Sequence, residues 1–179
     1  MSKLSKHQEQ FERLQRWYER FKKINDGQVH DKSSEFYQDE VYAFFMNCYH
    51  LKDWIIEDDA VVLASKDDKG KKKRIVENYI NSVDDLKLCA DICNSLKHLC
   101  LDKNRKPRSG EDPKFDRKSA KLNIGVGPIK IEMKYIIDTL SGPRDAFDIA
   151  TKCIEAWGKF YSDNKLNVTG EGFANSIIR

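Results

Sequence analysis

No run of apolar residues in this 179-residue chain approaches the roughly 20 needed to cross a bilayer, so no membrane association is expected. The first residues are polar and charged, which predicts no export signal and a cytoplasmic location. The glycosylation-like Asn167-Val168-Thr169 carries no meaning without export. No two of the five cysteines (Cys48, Cys89, Cys93, Cys100 and Cys153) stand in a CxxC pair, so the usual compact zinc framework is missing and no metal is expected. No glycine-rich phosphate loop or nucleophile triad stands out either, and no cofactor is expected. No internal repeat and no domain linker is visible, despite nine glycines and four prolines. Strong charge of one sign is absent too: the formal charge is +3, which permits a polyanionic partner without demanding one.

What is present is enough apolar surface for a single domain over 1–179. Hydrophobic residues make up 40% and aromatic residues 11%, so folding needs no disulfide or metal staple. The cysteines lie in runs with helical period, where a free thiol packs as a small hydrophobe; free thiols in a reducing compartment are therefore expected. Leu4, Phe11, Leu14, Tyr18 and Phe21 form one stripe of a first helix over 4–24, which Asp26-Gly27 ends. Val41, Phe44, Phe45, Cys48, Leu51 and Ile55 form the wide apolar face of a second, over 35–57, with Ser34 as candidate cap. A short helix is predicted over 72–79. Another follows over 83–101, where Ser82 and Asp85 resemble a capping box.

Over about 118–138 the period changes from helical to two. Ala120, Leu122, Ile124 and Val126 alternate with polar residues, and Ile129, Ile131, Met133, Tyr135 and Ile137 follow Gly127-Pro128. This predicts a β-hairpin lying on the helices. Ser141-Gly142-Pro143 then predicts the start of a last helix over 143–161, with proline at its first position and Trp157 as its core anchor. The predicted core spans about 4–161, and 162–179 form a tail. The fold class is mostly α: a four- to five-helix bundle with a β-hairpin inserted before the last helix.

Two polar stripes and two basic stretches are the candidate functional features. Asp91, Asn94 and His98 fall within about 60° of one another on a helical wheel, away from the cysteines. His50 and Asp53 share the polar side of the second helix, where a carboxylate can orient a histidine as general base. The outside of an amphipathic helix explains the first stripe equally well, and a salt bridge at a bundle edge explains the second. His7 and His30 have no assigned role. Lys66 to Arg74 holds six basic residues, Lys72, Lys73 and Arg74 among them. Lys103 to Lys121 holds eight, densest at Lys103, Arg105, Lys106 and Arg108. A phosphate backbone would meet such a surface favourably, although no aromatic residue interleaves to stack bases. Two solvated loops are the simpler alternative.

The segments 42–54 (YAFFMNCYHLKDW), 88–99 (LCADICNSLKHL) and 150–157 (ATKCIEAW), with the hairpin, resemble small bacterial helical proteins whose bundle is similar to the HEPN superfamily. The resemblance implies a four- or five-helix core and dimerisation. It also implies kinship with metal-independent ribonucleases of toxin and defence systems. Their motif is an arginine, a polar residue, three variable residues and a histidine. Here the histidine matches His98, the polar residue Asn94 and the arginine position Cys93. Cysteine lacks the charge and the fork of donors that arginine offers a scissile phosphate.

Two functions follow as expectations. The first is a non-catalytic interaction or RNA-associated accessory protein of a toxin or defence system. The second is a metal-independent HEPN-type endoribonuclease that uses His98 and Asn94, with Asp91, His50 and Asp53 in support. A homodimer with an RNA or protein partner is expected from the resemblance and from the wide apolar face of the second helix. Light scattering at tens of micromolar should report twice the mass of one chain, and a monomeric mass would rule this out.

Overall fold

The computed structural model describes residues 5–29, 31–63, 68–97, 106–123, 127 and 129–166. His30, His98, Cys100, Lys103, Arg105, the Gly127-Pro128 turn beyond Gly127, and the tail lie outside the described residues. The element order is α1 (Lys6–Asp26), α2 (Ser34–Glu57), α3 (Lys69–Ser82), α4 (Asp84–Lys97), β1 (Lys114–Asn123), β2 (Lys130–Thr139), β3 (Gly142–Asp145) and α5 (Ala146–Asp163). The expected helical bundle with a hairpin ahead of its last helix is therefore present.

Helix ends follow local chemistry. The backbone N–H of Ser5 donates to the Gln8 side chain at the start of α1. Gly27, at a φ of 101°, turns the chain out of its last turn. The Ser33 hydroxyl, not that of Ser34, caps α2 by accepting from the Phe36 N–H. Asp68 caps α3 at 2.7 Å from the Lys71 N–H. The capping box read at Ser82 and Asp85 is not formed, because the Ser82 hydroxyl donates back to the Tyr79 carbonyl within α3.

The second helix is the axis of the bundle. Val41, Phe44, Phe45, Cys48, Leu51 and Ile55 are all fully buried. They meet Phe11, Leu14, Phe21 and Ile24 of α1, Val76 and Ile80 of α3, Leu88 and Ile92 of α4, and Ile149, Cys153 and Trp157 of α5 within one core. The wide face that suggested a dimer is thus covered within a single chain. Phe21 packs edge-on to Phe45, Tyr135 and Phe147. Each such large side chain stabilises the fold by about 1.5–3 kcal/mol through burial.

β1 pairs antiparallel with β2, and β2 with β3. A backbone bridge between Gln28 and Ile131 pairs one position of β2 beyond the reach of β3. The alternation of β2 buries Met133, Tyr135 and Ile137 on the helices as expected. That of β1 does not: Ala120 and Leu122 are exposed, because β1 is the outer strand. The last helix also differs from expectation. Gly142 and Pro143 belong to β3, and α5 begins only at Ala146, where the Asp145 carboxylate accepts from Phe147 N–H at 2.7 Å.

Trp157 is 1% exposed and packs edge-on against Phe160 and beside Tyr79. Trp157→Ala is expected to cost about 3–5 kcal/mol in denaturant unfolding. A loss below about 1 kcal/mol would show that the indole is not a core anchor.

Candidate functional site

One residue of the second basic stretch contacts the helix that carries the first. Helix α3 carries Lys71, Lys73 and Arg74 exposed, and Glu77 one turn on. The segment before β1 reaches this helix through Arg108, whose guanidinium lies 2.8 Å from Glu77 Oε2. Lys52 of α2 holds the other Glu77 oxygen, also at 2.8 Å, and donates to the Tyr49 hydroxyl. Burial alone would raise the Glu77 pKa; the hydrogen bonds and charges of Lys52 and Arg108 outweigh it and lower it. Glu77 is thus the charged clasp that draws Arg108 to α3, while Lys106 stays exposed. Lys72 departs from the expected basic surface: it is buried and donates to the Asp58 carbonyl at 2.8 Å.

Asp91 is placed differently from its helical phase. It is 5% exposed and accepts from the Arg108 N–H at 2.8 Å, the Ser109 N–H at 2.7 Å and the Ser109 hydroxyl at 2.6 Å. The polar side of α4 is solvent-facing only until the 106–110 segment folds across it. Asp91 then becomes the acceptor for that segment's backbone donors, as a buried turn requires. Asn94 is half-buried one turn on.

His50 and Asp53 do come together. Nδ1 of His50 lies 3.1 Å from Asp53 Oδ2 on the outside of α2. Asp53 also lines a shallow depression of about 240 Å³ with Lys6, Trp54 and Glu57. The residues of α2 that face the segment after α4 are instead Tyr49 and Lys52, with Arg108 stacked toward the Tyr49 ring at 5.9 Å.

Two groupings escaped the sequence reading. His7, assigned no role, is 4% exposed, and its Nδ1 lies 2.9 Å from both Asp58 Oδ2 and the Ser5 hydroxyl. Asp58 also accepts from the His7 and Ala60 backbone N–H groups, and Tyr161 donates to the His7 carbonyl. No local signal links residues so distant in the chain. The second grouping is Cys48 of α2, Cys89 of α4 and Cys153 of α5. All are buried free thiols, with sulfurs within 4.8 Å of one another. The lack of a CxxC pair therefore did not exclude a set of metal-ligating side chains. The available signal was that three separate core stripes each carry a cysteine. Cys93, at the arginine position of the HEPN-like motif, is fully buried as well.

Comparison with known proteins finds no matching family model, and no significant match among curated proteins or solved structures.

The Asp58 carboxyl has a definite pH signature. Burial raises its pKa, but the His7 backbone and ring and the Ala60 N–H overcome this and lower it below 3.8. A depressed carboxylate pKa stabilises the fold above the unfolded value and loses that contribution as pH falls through the folded one. Asp58→Asn should cost about 1–3 kcal/mol near neutrality. The gap to wild type should narrow as unfolding is measured at pH values below 3.8. A gap that stays constant across that range would contradict the assignment.

Proposed function

We propose that the protein is a non-catalytic, RNA-associated accessory protein that presents α3 and the segment before β1 to a phosphate backbone. The observation that supports this reading is the Arg108–Glu77 clasp, which ties the segment carrying exposed Lys106 to the helix that bears Lys71, Lys73 and Arg74. Clustered exposed cations release counterions on meeting a polyanion, which gives affinity without base specificity. The HEPN-like character of the bundle belongs to this reading through the spacing of Asn94 and His98.

Cleavage is the weaker alternative for chemical reasons. At the arginine position Cys93 points into the core, so charge building on a phosphate would lack its partner. Asp91 is held by three hydrogen bonds to the 106–110 segment, which opposes a role as base. The cluster of three buried thiols argues against describing this bundle as metal-independent.

Binding of a short labelled RNA, measured across a salt series, tests the proposal. Replacing Lys71, Lys73 and Arg74 together by glutamate should weaken binding and flatten the log–log salt slope by about 2, the value for three lost single-strand phosphate contacts. His98→Ala should bind like wild type, and neither protein should cleave the RNA. Chelator-resistant cleavage lost in His98→Ala would replace this reading with the nuclease. Absence of salt-sensitive binding would leave these surfaces as a protein interface or as solvated faces.

A further inference from the structure

We propose that Cys48, Cys89 and Cys153 form a three-coordinate, all-sulfur binding site for a soft closed-shell cation, with copper(I) as the preferred ion. The three residues come from three helices, so their convergence is a product of tertiary packing. Their sulfurs lie within 4.8 Å of one another. With metal–sulfur bonds near 2.3 Å, a trigonal site needs sulfurs about 4 Å apart, which small rotamer adjustments supply.

The surroundings of the three sulfurs match a site better than they match inert filling. Cys89 donates to the Phe45 carbonyl at 3.6 Å and Cys153 to the Asp85 carbonyl at 3.2 Å. These acceptors draw the two thiol hydrogens to the periphery and leave sulfur lone pairs for the centre. Trp157 supplies an independent observation: among the described residues its buried Nε1–H has no hydrogen-bond partner of ordinary geometry, and the group it approaches is the Cys48 sulfur. An orphaned buried donor costs about 1–3 kcal/mol. The indole lies beside the Cys48 sulfur. A metal-bound thiolate is a stronger acceptor than a thiol, so occupancy would give the orphaned N–H its partner. Packing of small hydrophobes explains the burial of the cysteines but not this donor.

The choice of ion follows from coordination number and ligand softness. The trio has three sulfurs, and no His, Asp or Glu joins it among the described residues. Zinc favours four ligands, and a fully buried site offers no ready water for the fourth. Copper(I) is soft, takes thiolates and is satisfied by three. Each cysteine that coordinates as thiolate releases its proton to solvent, and the oxidation state of the ion does not change. Because all three sulfurs are buried, the ion must enter during folding or through an opening of the helices.

The full chain, reduced and refolded without oxygen, tests this when one portion receives copper(I) from a weak chelator and another receives zinc. The expected result is one copper retained per chain after desalting, a thiolate-to-copper charge-transfer band in the ultraviolet, and a melting temperature that rises with free copper. Cys48→Ser should lose the bound copper and the band, whereas Cys93→Ser, outside the trio, should keep both. Trp157→Phe, which removes the N–H and keeps an aromatic ring, should weaken copper binding by about 10–100-fold. Circular dichroism identifies any variant that has not folded, and the wild-type arm stands without the variants. Folded wild type that retains no copper would overturn the proposal. Equal retention by folded Cys48→Ser, or preferential retention of zinc, would do the same.

Discussion

Helix α2 has to be hidden from water along a broad stripe, and the rest of the fold is arranged to do this. A helix with Val41, Phe44, Phe45, Cys48, Leu51 and Ile55 all fully buried cannot be covered by one neighbour. Helices α1, α3, α4 and α5 therefore each turn an apolar stripe toward it, and the sheet adds Tyr135 through the Phe21 ring. The polar residues of α2 lie outside that stripe, and two groups of them bear on the candidate site. One runs through Tyr49 and Lys52 toward Glu77, and the other through His50 and Asp53 toward open solvent. The candidate functional residues of α2 lie there because the buried stripe excludes polar chemistry.

Aspartates hold the connections in place. Asp58 gathers the start of α1 and the turn after α2, Asp91 gathers the 106–110 segment, and Asp145 starts α5. In each case a carboxylate accepts two or more donors, most of them backbone N–H groups that would otherwise lack partners in a partly buried turn. Charge-assisted bonds of this kind are about twice as strong as neutral ones. A helical bundle with connections outside its regular hydrogen-bond ladders needs such acceptors, and they are drawn from the same residue types that build active sites.

The helical stripes of α1, α2 and α5 and the change to period two were legible because each is set by local spacing. Gly142-Pro143 was not. A proline with fixed φ and no N–H fits the first turn of a helix and the edge of a sheet equally well, and only pairing with Thr139 and Asp138 decides. Asp91 misled for a related reason: helical phase tells which side of α4 is polar, but not that a later segment will cover it. Ala120 and Leu122 kept the expected alternation without the expected burial, because strand order in the sheet is a tertiary property. In the candidate site, the basic composition of the two stretches was visible and the contact of Arg108 with Glu77 was not. The cysteine trio was visible only as separate core residues, since helix packing alone brings them together.

The hydrogen bond from the Tyr161 hydroxyl to the His7 carbonyl spans 154 residues of chain. The β1–β2 hairpin, by contrast, closes between Asn123 and Lys130. On a logarithmic loop-closure law, the longer closure costs about 3 kcal/mol more chain entropy than the hairpin. The seam between α1 and α5 is therefore more expensive to form early than the hairpin, which favours assembly from the hairpin and neighbouring helices toward it. Run backward, the same order favours this seam as an early unit to part, and amide protons near His7 and Tyr161 are then expected to exchange with solvent ahead of those along α2.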